Sequence, residues 1–128
     1  MRDLVNNIGA VQALVPAVLS ATATGPALDL IAFGSAALVI NTGAIASAGD
    51  FTAKLQESDT TTSGDFTDVD ADHLEGVFPA SLEANAVVKV GYKGFKRYIR
   101  LVVTKNGGTS IAAGAVLIKG HAAERPVV

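Results

Sequence analysis

Asp68, Asp70 and Asp72 stand on alternate residues, and His73 follows directly. Carboxylates at that spacing offer oxygen ligands to a hard cation, as at the start of a calcium loop. A complete loop of that kind needs Gly at its sixth position for the turn and Glu at its twelfth for bidentate closure. Counting from Asp68, those positions hold His73 and Pro79. The segment therefore reads as a solvated acidic loop, with no metal assigned to it. His73 beside Asp72 also invites an acid–base reading, but no Ser, Thr or carboxylate is placed by motif to act as its partner. The other histidine, His121, falls near the C-terminal tail and is expected to be exposed. The chain has no cysteine, so neither a disulfide nor a thiolate-ligated metal is available. A phosphate loop, a dinucleotide fingerprint, a nucleophile elbow and a zinc motif are all missing. The sequence predicts no enzyme and no cofactor.

Charge is the second candidate chemistry, because it is sorted along the chain. Residues 50–75 carry Asp50, Glu57, Asp59, Asp65, Asp68, Asp70, Asp72 and Glu75 against the single cation Lys54. Residues 89–105 carry Lys89, Lys93, Lys96, Arg97, Arg100 and Lys105 with no acid. Two readings stay open. The blocks compensate each other within one chain, or the acidic edge of one copy meets the basic edge of the next. On the second reading Asp68, Asp70 and Asp72 pair with Lys93, Lys96, Arg97 and Arg100 of a neighbouring subunit. Nucleic acid is not an expected partner. The net charge is −2, and Tyr92, Phe95 and Tyr98 sit in strong strand text as packing residues.

The elements that must position these residues read as β. At 128 residues the chain is one domain, and 49% hydrophobic against 17% charged is enough to bury a core. Val and Ile enrichment and period-two alternation predict strands over 27–31, 36–45, 51–57, 87–92, 95–105 and 111–120. In residues 95–105, Phe95, Arg97, Ile99, Leu101 and Val103 share one predicted face. Asp59 to Asp65 is a turn cluster, so residues 51–70 form a predicted hairpin. Asn106-Gly107-Gly108 reads as a hairpin turn. The glycines and alanines of 111–120 permit close approach of another element. Short strands with turns every 8–12 residues or so predict an all-β fold, an antiparallel sandwich or barrel of jelly-roll type.

Residues 1–25 are the ambiguous part. Val5, Ile8, Val11, Leu14 and Val18 recur at helical spacing, while Pro16 and the β-branched residues favour an extended arm. We expect an N-terminal arm over 1–25, a sandwich over 26–122 and a loose tail over 123–128. The five apolar residues are candidates for docking the arm on a neighbour; the alternative is packing on their own domain. Asp3, Asn6, Asn7, Gln12 and Pro16 spoil a secretory signal. No stretch reaches the ~18 uninterrupted apolar residues of a membrane helix, so no membrane partner is expected.

Four segments carry a resemblance: MRDLVNNI at the start, KLQESDTTTSGDFTDV over Lys54 to Val69, VGYKGFKRYIRLVVT over Val90 to Thr104, and GAVLIKGH near the end. The chain resembles small virion structural proteins of tailed bacteriophages and prophages, of the head decoration or minor capsid type. The resemblance implies synthesis in the host cytoplasm and assembly on the outer surface of a capsid. The major capsid protein would be the partner. By analogy it implies a homo-oligomer, preferably a trimer. It assigns no binding residues. A head–tail joining or tail component is the nearest alternative. A carbohydrate-binding module is a further one, disfavoured by the lack of tryptophan.

Overall fold

The computed structural model describes residues 3–123. Residues 124–128, most of the predicted tail, lie outside that range. The chain forms strands β1 (Gly9–Leu19), β2 (Ala23–Thr24), β3 (Leu28–Asp29), β4 (Phe33–Ala46), β5 (Asp50–Ser58), β6 (Thr67–Asp68), β7 (Leu74–Glu75), β8 (Val87–Tyr92), β9 (Tyr98–Gly107) and β10 (Ser110–Ala122). They build two antiparallel sheets. The first has the order β1-β10-β4-β8-β7. The second has the order β2-β9-β5-β6, with β3 also paired to β9. First strand beside last, with the long strands β4, β5, β8, β9 and β10 alternating between the sheets, is the wrapping of a jelly roll. The all-β sandwich expected from the sequence is the fold observed.

Alternation makes the core. In β4, Ala36, Leu38 and Ile40 point inward; in β5, Phe51, Ala53 and Leu55 do; in β9, Ile99, Leu101 and Val103; in β10, Ile111, Ala113, Ala115 and Leu117. The two inner faces interdigitate as packed sheets do. Each fully buried Leu, Ile or Phe stabilises the fold by about 1.5–3 kcal/mol. Thr42, a buried polar residue of β4, is satisfied: its Oγ1 donates to the Glu83 carbonyl and accepts from the Ala86 amide at 2.9 Å.

Four expectations are corrected. Residues 9–19 are not a separate arm. β1 pairs with β10 from Gly9↔Lys119 to Leu19↔Ile111, and Ala13 and Leu14 enter the core. A long final strand needs a partner on its second side, and this segment supplies it. Residues 106–108 turn the chain but close no hairpin, because β9 and β10 belong to different sheets. This turn packs against the β4–β5 turn: a Cβ on Gly108 would meet the Ala48 carbonyl oxygen at 2.2 Å, and one on Gly49 would meet that of Ser110 at 2.3 Å. Gly108 also holds φ +71°. Finally, β9 starts at Tyr98, not at Phe95. Residues 93–97 cross between the sheets, so Phe95 and Arg97 leave the core face that alternation gave them. Residues 27–31 likewise shrink to the two-residue β3.

Candidate functional site

The charged blocks meet within one chain. Lys96 Nζ lies 2.9 Å from Asp59, Lys93 Nζ 2.8 Å from Glu75, and Lys54 Nζ 3.1 Å from Asp68. Arg97 grips Asp29 with two bonds of 2.9 Å, a planar fork on a carboxylate. Arg100 Nε donates to Gln56 Oε1 at 2.8 Å, and its guanidinium lies 4.3 Å from the Phe66 ring centroid. Asp70 accepts from the Asp72 amide in a short turn. Of the seven residues expected to pair between subunits, Asp72 alone shows no side-chain or backbone partner for its carboxylate among the described residues. The arrangement is the in-chain compensation that the sequence left open as one of two readings. Asp29 is the partner sequence reasoning missed, because it lies outside the acidic block.

The pairs shift protonation as expected. The Arg97 guanidinium, by its hydrogen bonds, holds the Asp29 carboxyl below the ordinary range, and Asp29 in turn raises Arg97. Gln56, then Lys54, lowers Asp68; Lys93 lowers Glu75; Asp59 raises Lys96. Burial, reinforced by its bond to Glu57 at 2.7 Å, pushes the Tyr92 phenol strongly up.

The histidines stand apart from this network. His73 packs on the edge of Phe95, centroids 5.5 Å apart, and its buried Nδ1 has no hydrogen-bond partner. His121 Nδ1 is 2.8 Å from Ser35 Oγ. That is the distance of a nucleophile–base pair, but no carboxylate orients the ring among the described residues. Nor do three or more His, Asp or Glu side chains converge there as a metal site would need. No helix among them is long and apolar enough to cross a membrane.

The five apolar candidates near the N-terminus are divided. Leu14 is buried in the core; Ile8 is half-buried; Val5, Val11 and Val18 are exposed. Val18 belongs to a wider surface. Register places Ala10, Gln12 and Val18 of β1 beside Ile118, Val116 and Ala112 of β10. These lie beside Ala37 and Val39 of β4, followed by Gly91 and Lys89 of β8. Asn41 and Val87 complete the row at Gly114. This outer face of the first sheet carries one charge over its four long strands, Lys89, near the β8 border. A trough of about 380 Å³ runs across it. Gly114 forms its floor, where a Cβ would come within 2.9 Å of Pro16. Val116 is 41% exposed, Val87 66% and Val18 70%.

A second opening lies at one end of the sandwich, an open cleft of about 820 Å³. Ile31, Phe33 and Phe95 line it together with Asp59, Glu75, Lys93, Lys96 and Arg97. Phe95 is 88% exposed.

No protein-family model matches the chain, and no curated protein matches it in sequence. Solved structures do match in fold. The SPBc2 prophage-derived protein YomS superposes with a TM-score of 0.51 at 12% identity, over 88% of this chain and 92% of that one. The VP2 subviral particle of infectious bursal disease virus gives 0.47 at 12% identity, over 91% of this chain but only 33% of its own. PirA gives 0.41 at 14% identity, over 94% of this chain and 99% of that one. At such identities the likeness with the prophage-derived protein is one of fold: both chains wrap a similar sandwich along nearly their whole length.

Proposed function

We propose that this chain is a virion structural protein, one that decorates the outer surface of a tailed-phage capsid and stabilises it by binding across neighbouring major-capsid subunits. The observation that carries the reading is the jelly-roll sandwich, shared along nearly full length with a prophage-derived protein. The sequence segments that resemble virion proteins point the same way. So does the surface, which offers broad contact areas. Each copy would touch more than one capsid subunit, and weak contacts would sum over the lattice. The test is to add purified protein to undecorated heads. Uniform density over the shell and restored resistance to heat are expected. Failure to bind heads sinks the proposal, and density confined to the portal vertex replaces it with a head–tail joining or tail role.

One observation favours a second reading. Phe95 projects beside a cleft rimmed by charged and hydrogen-bonding groups, the combination on which a sugar ring stacks. A glycan array, with Phe95→Ala as the control, separates a carbohydrate-binding module from the first reading.

A further inference from the structure

The outer face of the first sheet is built like an inner one. Along β1, β10 and β4 its outward residues are Ala, Val, Ile, Gly and Pro with two amides, Gln12 and Asn41, and one hydroxyl, Ser35, at the end of the row. Burying a charge without a partner costs more than the surrounding apolar burial returns. The surface that fits this face must therefore be uncharged as well as flat.

The chain has one other broad surface, the outer face of the second sheet, and it carries Lys54, Arg100 and Asp68. Packing the first face against that one would strand those charges. Packing the first face against its own copy brings in one charge, Lys89, and that stands at the β8 border, where a long side chain can keep its ammonium at the wet rim. Area agrees. About ten residues at ~3.4 Å along β1, β10 and β4, with the shorter β8, at ~4.8 Å spacing, cover roughly 600 Å² per copy. The pair would bury about 1,200 Å², the lower bound of stable interfaces. Small side chains at Ala112, Gly114 and Ala37 let two sheets approach closely. Under a two-fold axis each copy contributes both a trough, floored by Gly114, and a ridge, at Val18 or Val87, to fill its partner's trough.

We infer that this chain forms a two-fold, sheet-on-sheet dimer through the outer face of its first sheet. A cyclic trimer would need two different surfaces per copy and would set this face against a charged one. The inference does not depend on the virion reading. It is tested by sedimentation of the full chain. Wild type is expected at twice the chain mass. Val116→Glu, at the centre of the face, and Val87→Glu, at its border, should each raise the dimer dissociation constant about a hundredfold or more, Val116 the more strongly. Circular dichroism should show both variants folded, since both side chains already point to solvent. Thr104→Glu on the opposite face should leave the dimer intact. A monomeric or trimeric wild type overturns the inference, as does a dimer that survives both face variants. A monomer that still coats heads overturns the dimer and leaves the virion reading standing; a dimer that ignores heads does the reverse.

Discussion

The two outer faces of this sandwich solve the same problem in opposite ways. Both belong to sheets whose inner sides are packed with Leu, Ile, Val and Phe. On the second sheet the outward residues are polar and engaged with one another: Arg100 with Gln56, Gln56 with Asp68, and Asp68 with Lys54. Arg100 also covers Phe66, whose ring is buried beneath it. That face is finished within one chain and is at home in water. On the first sheet the outward residues are mostly small or apolar, with Gln12, Asn41 and Lys89 among them, and have nothing over them. An apolar surface of that breadth on a single chain marks a contact site. The lesson is that the two sheets share one core but differ outside it: one face is finished within the chain, the other is left bare.

Four substitutions or titrations test that contrast. The largest effect belongs to the core. Leu117→Ala, on the inner side of β10, should cost about 2–5 kcal/mol in denaturant unfolding, because it opens a cavity. Arg100→Ala should cost about 1–2 kcal/mol, since it removes a charge-assisted bond to Gln56 and uncovers the Phe66 ring. A loss near zero would mean that the second face is merely solvated. Acid should act on the same face more weakly. Asp29 and Asp68 have lowered carboxyl pKa values when folded, so their contribution is complete above the unfolded value of about 3.9 and is lost as pH falls through and below it. Thermal midpoints should drop in that window, by less at high salt, and the Asp29→Asn, Asp68→Asn double variant should flatten the drop. These carboxylates are substantially exposed, so solvent screening keeps the effect small. The smallest effect is expected one residue from the largest. Val116→Ala should change the stability of the isolated chain by no more than about 0.5 kcal/mol. A loss comparable to that of Leu117→Ala would mean that the first face is already covered within the chain.

Much of this was readable before the structure. The strands β4, β5, β8 and β10 follow from alternation and β-branched residues, and compensation between the charge blocks was one of two open readings. Local patterns failed where the answer lay in another part of the chain. Asn106-Gly107-Gly108 fixes where the chain reverses, but only the pairings of β9 with β5 and of β10 with β1 and β4 decide which sheet receives it. Phe95 continues the alternation of β9 on paper, yet the chain there is crossing between sheets, and the Lys96 amide bonds to the Tyr92 hydroxyl instead of a strand. In β1 the mixed spacing of Val11, Leu14 and Val18 mimics a helix because register shifts occur between Gln12 and Leu14 and between Leu14 and Ala17. Each shift displaces the alternation, so neither period two nor 3.6 describes the strand. The bare face was hinted at by the glycines and alanines of 111–120, but its extent depends on four strands far apart in sequence.

Those irregularities in β1 bear on how growth of any assembly is limited. An eleven-residue edge strand without a charge would ordinarily invite the next chain to add a strand, and that chain the next, without end. Pro16 withholds a backbone donor from that rim, and the displaced register gives an incoming strand no long straight ladder to copy. A rim of this kind disfavours open-ended strand addition, so any contact between copies would have to form elsewhere on the sandwich.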